Sequence, residues 1–543
     1  MVFARRSTTL LAAIIASCAM VLSLTACTSD NKTVVDGQTT VTSNSAGGVA
    51  VFTPSDGITL NQQVPLNKWA KLVPDLTKAL VDAGFKKGDI NHTTSDSLDK
   101  QSRAIQDFVV DHLSNNTTGD SGIAIAPDNM TLLVAPVVEA DASTRQYGDY
   151  VSQNLSTNDV TDEGATSDGE SSEDDSSKDD SSNTESDSTA SDEQAQAVDR
   201  LVSSLKLAKE SGMHVVLLGN SIEGYKPDAF VKFSDAQTIG KLQAEKMVSK
   251  LKLDKASKDN PKYIEVLLPY TAVDEKGNAN DSTFAQEAFR GIWQVLGSYY
   301  QKGVVESPSG TLDGKSTEND WQAVAYDAAK EGSTAKVLDK RLAKTDGQST
   351  LTRIDGIITM NDYIASEVVK ELDDLGYTGS AADINPQITI SGIVGNITGK
   401  KDLSRDAVPD PIKSPENDNA NDSSSSDDDA DEDTSASDKD RDSQWPLVTG
   451  YGAYVSNIPS IVNGKQWMTG MEDRQTIATD IAQACAKLNK DEALNSMPSI
   501  RNSEVGGVKK IPTISEPLLA VSASNLKSAL IDPGYISLAD AGL

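Results

Sequence analysis

The sequence is poor in the residues that cross-link exported domains or bind metals. It holds only 3 cysteines and 3 histidines among 543 residues. We expect Cys18 to be removed with a signal peptide and Cys27 to carry a lipid, so only Cys485 remains and no intramolecular disulfide is predicted. Without cysteine–histidine metal spacing, neither a metal nor a cofactor is predicted. Cys485 falls on the apolar side of a helical pattern, which predicts a buried, unreactive thiol.

Positive charge is also scarce. The chain has 49 Lys and Arg against 81 Asp and Glu, a net charge of -32, so we expect no nucleic-acid partner. Two runs, residues 162–193 and 413–442, hold 13 and 12 acidic residues without apolar periodicity. They cannot bury enough apolar surface to offset the entropy lost on ordering. We therefore predict disordered acidic insertions at about 155–195 and about 413–443.

Only the N-terminus has a long apolar run. A basic pair precedes residues 10–24, an apolar stretch too short to span a bilayer comfortably. The stretch ends in LTAC, which resembles the bacterial lipobox, where the signal peptide is removed and the new N-terminal cysteine is acylated. We predict a signal peptide at 1–26, lipidation of Cys27 and a flexible tether at 27–47. This places the protein on the extracytoplasmic face of the cell membrane, anchored by lipid alone.

The rest of the chain alternates short apolar segments with amphipathic ones. Strands are expected at 48–54, 131–138, 214–218, 263–268, 356–360 and 446–450. Helices are expected at 66–83, 97–112, 194–210, 235–252, 283–299, 362–375 and 473–488. Continuously apolar strands between amphipathic helices indicate an α/β fold with parallel sheets covered on both faces. In such sheets ligands bind at the carboxyl ends of the strands.

Polar and aromatic side chains follow several of these strands. The candidate binding residues are Ser55, Asp56, Asn220, Ser221, Asn280, Asn361, Asp362 and Tyr451. Amides, hydroxyls, carboxylates and aromatic rings suit recognition of a hydroxylated solute. Since the sequence has no Gly-rich phosphate loop, Ser/His/Asp set or zinc motif, we expect no enzymatic activity.

Four blocks of the chain carry a family resemblance. They are FVKFSDAQTIGKLQAEKMVSKL at 230–251, IDGIITMNDYIASEVVKEL at 354–372, WPLVTGYGAYVSNIPSIVNGKQWMTGMEDRQTIA at 445–478 and GGVKKIPTISEPLLAVSASNLKSALIDPGYISLADAGL at 506–543. In this order they resemble the type I periplasmic sugar-binding proteins, in particular the xylose-binding and multiple-sugar-binding branch. The C-terminal block is the longest and most specific of the four.

The resemblance implies two doubly wound parallel-sheet lobes, joined by three crossovers, that close on a sugar like a clamshell. The N-terminal lobe would comprise residues 48–231 plus 472–511, and the C-terminal lobe 232–471 plus 512–543. It also implies a monomeric solute receptor of an ABC importer, whose partners are a carbohydrate, a permease and an ATPase. Closure would trap the ligand and signal to the permease.

The family's ligand residues map onto only some positions. Asn361 matches the family's asparagine in its "ND" turn, and Asn280 corresponds to another asparagine within a longer loop. Asp362 is either a contact or the N-cap of the next helix, and we favour the cap. Trp69, in a segment similar to the family's "ERW", is either a core residue or a stacking ring.

Several charged positions of the family are replaced. Asn220 and Ser221 stand where the family has an Asp-Arg pair, Gly452 where it has Asp, and Glu472 where it has Lys. A charged-to-hydroxyl hydrogen bond contributes about 1.5–3 kcal/mol. The changes therefore predict a ligand other than xylose, glucose or galactose, such as an oligosaccharide, a modified sugar or another polar solute.

Two other functions fit the same sequence. A sensor lipoprotein would use the clamshell to report a solute to a membrane kinase. A surface protein would bind no small ligand and use its acidic segments for wall contact. A cleft filled by the protein's own side chains would favour the surface protein.

Overall fold

The computed structural model describes residues 32–35, 38–41, 46–55, 65–115, 125–138, 144–151, 153–156, 185–273, 280–328, 330–343, 351–381 and 445–543. Cys27, Asp56 and the acidic insertion predicted at 413–443 lie outside these residues. Residues 1–45 and 46–543 form separate units. In the first unit, within the predicted tether, β1 (Lys32–Val35) pairs antiparallel with β2 (Gln38–Val41).

The second unit alternates strands and helices along most of its length. Its strands are β3 (Gly48–Pro54), β4 (Ile90–Ser95), β5 (Met130–Val134), β6 (Asn154–Leu155), β7 (His214–Leu218), β8 (Ser221–Ile222), β9 (Ala229–Lys232), β10 (Lys262–Val266), β11 (Leu268–Pro269), β12 (Val305–Glu306), β13 (Ala325–Tyr326), β14 (Gly356–Ile358), β15 (Leu447–Val448), β16 (Met468–Met471), β17 (Ile500–Val505), β18 (Val508–Ser515) and β19 (Leu519–Ser522). Its helices are α1 (Trp69–Asp82), α2 (Leu98–Asn115), α3 (Glu185–Glu210), α4 (Ala236–Leu251), α5 (Thr283–Gln301), α6 (Trp321–Val324), α7 (Ser333–Arg341), α8 (Asp362–Asp374), α9 (Ile458–Val462) and α10 (Arg474–Leu488).

The first sheet has seven strands in the order β17-β18-β9-β7-β5-β3-β4. All neighbours are parallel except β17 and β18, which form an antiparallel hairpin. Along β7, Val215 and Leu217 pack into the core under α2 and α3, while Val216 and Leu218 pack into the core under α1 and α10. Because successive side chains point to opposite faces, a sheet covered on both faces needs this continuous apolar strand.

The second sheet is smaller and wholly parallel, in the order β12-β10-β14-β15. Helices α4 and α5 pack together over one core, and α7 and α8 over another. The chain passes from the first sheet to the second after β9 and returns after β16. The fold is therefore α/β with two parallel-sheet lobes, as the sequence predicts.

The third crossover comes later than the predicted boundary at residue 511. β18 continues to Ser515, and its residues Thr513–Ser515 pair with Phe230–Lys232 of the first sheet. Main-chain hydrogen bonding thus keeps four further residues in the N-terminal lobe. The next strand, β19, pairs antiparallel with β16.

Helix α3 also differs from its prediction. It begins at Glu185, nine residues before the expected start at 194, so the predicted insertion at about 155–195 ends inside a helix. Cys485 is fully buried on α10, and burial raises the pKa of its thiol, which confirms the predicted buried cysteine. Among the described helices, none combines the length and apolar character that crossing a membrane would require.

Candidate functional site

A cavity of about 470 Å³ lies at the carboxyl edge of the first sheet. β3, β4, β5 and β7 all run toward it, and the residues that follow them line its wall. Its polar lining includes Ser55, Lys68, Ser95, Asp149, Gln153 and Asn220. A volume of this size and a position beyond parallel strand ends are typical of small-molecule sites.

Trp69 borders this cavity and is also a core residue. Its side chain is 3% exposed. The ring meets Tyr150 edge-on at 5.1 Å and Phe233 at 5.7 Å between centroids, a favourable arrangement for aromatic pairs. Of the two interpretations of Trp69, the structure supports the core residue, which also borders the cavity.

An ion pair lines the same cavity. The Lys68 ammonium lies 2.7 Å from an Asp149 carboxylate oxygen, and the other oxygen accepts a hydrogen bond from the Trp69 main-chain N–H at 3.0 Å. The side chains of Lys68 and Asp149 are only 12% and 19% exposed. Charge-assisted hydrogen bonds are stronger than neutral ones, so this pair fixes the start of α1 against the residues around Asp149.

Asn220 also lines the cavity and is 2% exposed. Its amide oxygen accepts from the Gln153 N–H at 3.0 Å, and its amide nitrogen donates to the Pro136 carbonyl at 2.9 Å. Ser221 donates to Asn154 at 2.8 Å. These side chains hold β6 beside β8, so Asn220 shapes the cavity wall through its hydrogen bonds.

Two further candidates lie at strand ends. Ser55 is exposed at the cavity, directly after β3. Asn280 belongs to the other lobe, and its amide donates to the Thr271 carbonyl at 2.7 Å within its own loop. Ser55, Trp69 and Asn220 thus share one cavity, whereas Asn280 lies on the opposite lobe.

At the carboxyl edge of the second sheet, Asn361 caps α8. Its backbone is extended, and its side-chain oxygen accepts from the Ile364 N–H at 2.9 Å. The favoured prediction that Asp362 is the cap is therefore wrong by one residue, because Asp362 already has the first helical position. Asn361 is fully buried, and its amide nitrogen donates to the Gln146 side chain at 3.1 Å.

Asp362 organises a buried polar network in the same place. Its carboxylate accepts from the Tyr454 N–H at 2.9 Å, the Thr469 hydroxyl at 2.8 Å and the Gln466 amide at 2.7 Å. Burial raises the pKa of Asp362 to about 6, although each of these hydrogen bonds favours the ionised form. The carboxylate connects α8 to the segment after β15 and to β16, a structural role.

Tyr451 belongs to a second buried group, between the two lobes. Its hydroxyl is hydrogen-bonded to the Ser234 hydroxyl and lies 3.3 Å from a Glu472 carboxylate oxygen, which also accepts from the Ser234 N–H at 2.7 Å. Burial raises the pKa of Glu472 to about 7. Since Ser234 follows β9 and Glu472 follows β16, this group ties together two of the crossovers.

A short piece of the N-terminal lobe fills the space in front of the second sheet. We call residues 144–151, which lie between β5 and β6 in the chain, the partition segment. Its Tyr147 is fully buried, with ring centroids 4.8 Å from Phe284 and 6.3 Å from Tyr451. The main-chain carbonyl of Gln146 accepts from the Tyr454 hydroxyl at 2.7 Å. Asn361, Asp362 and Tyr451 are therefore covered by protein.

Sequence reasoning missed Gln146, Tyr147 and Asp149. They lie in a stretch without apolar periodicity, next to an acidic run, and no motif marks them. The one usable signal is a pair of tyrosines, Tyr147 and Tyr150, in a chain with only 5% aromatic residues. Large aromatic side chains in a loop usually bury their rings.

No protein-family model matches the chain, and no curated protein matches it either. Solved structures similar to it include an ABC transporter solute-binding protein from Clostridium phytofermentans with bound β-D-glucose, at 17% identity and a TM-score of 0.44, covering 91% of this chain and 99% of that one. A carbohydrate transporter solute-binding protein from Chloroflexus aurantiacus in complex with D-glucose is 18% identical, with a TM-score of 0.42 and coverage of 92% and 98%. A solute-binding protein from Bacillus halodurans with bound myo-inositol is 12% identical, with a TM-score of 0.35 and coverage of 90% and 98%.

Proposed function

We propose that this chain is a solute-binding lipoprotein of an ABC importer that binds a carbohydrate or similar polyhydroxylated solute and catalyses no reaction. The cavity at the carboxyl edge of the first sheet is the observation that carries the proposal. It combines Trp69 with hydroxyl, amide and charged residues around a volume of about 470 Å³. An apolar ring face and several hydroxyls are what such a lining recognises.

The two-lobed fold supports the same function. A solute held at one lobe gains affinity when the other lobe closes over it, because closure excludes water and adds contacts. Lipidation of Cys27 would keep the receptor beside its permease and ATPase on the extracytoplasmic face of the membrane. Replacing Cys27 with Ala should release the protein from the membrane fraction and abolish incorporation of labelled palmitate, whereas an unchanged membrane fraction would contradict the anchor.

A binding screen tests the solute class. Detergent-solubilised protein is heated in the presence of mono-, di- and trisaccharides and myo-inositol, and solutes that raise the unfolding midpoint are measured by calorimetry. Binding to the native state stabilises it in proportion to RT ln(1 + [L]/Kd). We expect at least one hit, with a weaker response to xylose, glucose and galactose. Failure of the whole panel would contradict the proposal.

A variant pair locates the site. Lys68→Ala should weaken the hit tenfold or more, because Lys68 and its partner Asp149 line the cavity. Lys465→Ala is the matched control, since Lys465 forms a comparable ion pair on the second lobe, 2.9 Å from Asp373. Equal affinities of the two variants would exclude this cavity as the binding site.

The partition segment favours a second candidate, a sensor or surface lipoprotein without transport. Its residues cover Asn361, which matches a ligand asparagine of the resembled family, and Tyr451, a candidate from its strand-end position. Uptake of the radiolabelled hit by cells with and without the gene distinguishes the two functions. Binding without uptake would favour the sensor or surface protein.

A further inference from the structure

The partition segment belongs to the N-terminal lobe and also contacts the C-terminal lobe. On the N-terminal lobe, the Asp149 N–H donates to the Asn67 carbonyl at 2.8 Å, and the Asp149 carboxylate pairs with Lys68. Gly148 has a φ of +95°, and a Cβ there would lie 2.6 Å from the Asn67 carbonyl oxygen. Glycine is therefore required for the chain to pass so close to residue 67.

The other side of the segment faces the second lobe. Gln146 offers an amide oxygen to Asn361 and a carbonyl oxygen to the Tyr454 hydroxyl. Tyr147 places a flat ring beside the rings of Phe284 and Tyr451. Together, two neighbouring residues present polar acceptors and an apolar face, the two chemical features that a bound sugar presents to a protein.

Two polar residues of the second lobe that contact the partition segment are buried and hydrogen-bonded to protein groups. Asn361 is fully buried, and its side chain uses its oxygen for the helix cap and its nitrogen for Gln146. Tyr451 is equally buried. A solute can reach Asn361 only if Gln146 leaves, because the Asn361 side chain is fully buried and one N–H of its amide is bound to Gln146.

We infer that the partition segment is an internal ligand of the second lobe, which holds the lobes together without solute and competes with solute for Asn361 and Tyr451. The inference rests on the proposed function and adds its regulation. A solute that enters the cavity of the first lobe must displace Gln146 and Tyr147 before it touches the second lobe. A solute must therefore bind more strongly than these internal contacts before it can engage the second lobe.

Interlobe distance tests the inference directly. Spin labels at Lys78→Cys on α1 and Lys370→Cys on α8 report on opposite lobes, and both side chains are exposed. Cys485 stays unlabelled because it is buried. In solute-free protein we expect a single narrow distance distribution, which Gln146→Ala/Tyr147→Ala should broaden and shift to longer distances. An unchanged distribution in a folded variant would overturn the inference.

Tyr150→Ala is the matched control. Tyr150 lies in the same segment, but its ring packs on Trp69 and Phe233 and its hydroxyl donates to the Lys68 carbonyl at 2.5 Å. Its loss should lower stability without changing the interlobe distance. Tyr147→Phe keeps the ring and should keep the narrow distribution. If the double variant misfolds, Gln146→Ala alone decides: it keeps the buried Tyr147 ring but removes the acceptor of the Asn361 amide, and an unchanged distribution would overturn the inference.

Calorimetry with maltotriose and myo-inositol as probes gives the second readout. Removal of an internal competitor should raise the affinity of a bound probe at least tenfold in Gln146→Ala/Tyr147→Ala. If the lobes separate but neither probe binds any variant, the internal ligand stands and the solute class is wrong. If a probe binds wild type and variant equally and the distance is unchanged, solute binding stands and the internal ligand is wrong.

Discussion

The carboxyl edges of the two sheets carry similar residue types and use them differently. At the first edge, Ser55 is exposed, and Trp69, Asp149 and Asn220 line a cavity of solute size. At the second, Asn361, Asp362 and Tyr451 are fully buried and satisfied by protein partners. Strand-end position selects polar residues in both places. Whether those residues bind a solute depends on what the rest of the chain places in front of them.

The burial of polar groups also determines how much stability a substitution removes. A buried donor that loses its acceptor costs about 1–3 kcal/mol, whereas an exposed one turns to water. The comparison therefore predicts large losses of stability at the buried residues, which include those of the second edge and Asn220 of the first, and small losses at exposed residues such as Ser55. The affinity for solute should show the reverse order, with larger losses from substitutions at the first edge than at the second.

The largest expected effect is at Asp362. Asp362→Ala removes the acceptor of the Tyr454 N–H, the Thr469 hydroxyl and the Gln466 amide, so we expect the free energy of unfolding to fall by about 4 kcal/mol. Urea unfolding measures it. Asp373→Ala on the same helix is the control, with an expected loss below about 1 kcal/mol, because its carboxylate is 52% exposed. Similar losses of unfolding free energy in Asp362→Ala and Asp373→Ala would show that burial does not decide the cost of a substitution at the second edge.

The next effect is a pH dependence at Glu472. Its folded pKa of about 7 lies above the ordinary 4.5, so the folded state binds the proton more tightly than the unfolded state. The resulting stabilisation is fully present below about pH 4.5 and is lost as pH rises through about 7, a change of about 3 kcal/mol. Glu472→Gln removes it.

Urea unfolding at pH 5 and pH 8 measures this difference. Relative to wild type, Glu472→Gln should gain about 3 kcal/mol on going from pH 5 to pH 8. Met471→Leu, a buried neighbour without a titratable group, should keep the wild-type dependence. A constant difference between Glu472→Gln and wild type at both pH values would show that Glu472 is ionised in the folded state throughout.

The elements of both lobes follow from hydrophobic pattern. The strand at His214–Leu218 is as predicted, and α5, α8 and α10 begin within one residue of their expected positions. Buried parallel strands and amphipathic helices leave a periodic signal, because each side chain's environment is set locally by its position in the element. The start of α3 was missed because Glu185–Glu193 is acidic and has no apolar face.

The grouping of candidate residues was predictable at one edge only. Ser55 and Asn220 follow strand ends and Trp69 begins a helix, and the first sheet brings them to one cavity. The burial of Asn361 depends on Gln146, 215 residues earlier in the chain. No local pattern encodes such a contact, because it requires the crossing of a loop from one lobe to the other.

A smaller effect is expected at Asn220, which belongs to the first edge but is 2% exposed. Asn220→Ala leaves the Gln153 N–H and the Pro136 carbonyl without partners, so we expect a loss of about 1–3 kcal/mol in urea unfolding. Asn280→Ala is the control, because Asn280 is only half-buried and loses a single hydrogen bond. If the free energy of unfolding fell by less than about 0.5 kcal/mol in both variants, the buried hydrogen bonds of Asn220 would contribute no more to stability than those of an exposed residue.

The smallest effect on stability is expected at Ser55, where the cavity meets solvent. Its hydroxyl is exposed, so Ser55→Ala should change the free energy of unfolding by less than about 0.5 kcal/mol. If the first edge binds solute, the same variant should weaken that solute several-fold in calorimetry, because Ser55 lines the cavity. Ser211→Ala, on the amino side of β7, should leave both quantities unchanged. Lower stability without lower affinity would make Ser55 a structural residue, and the two edges would then differ only in exposure.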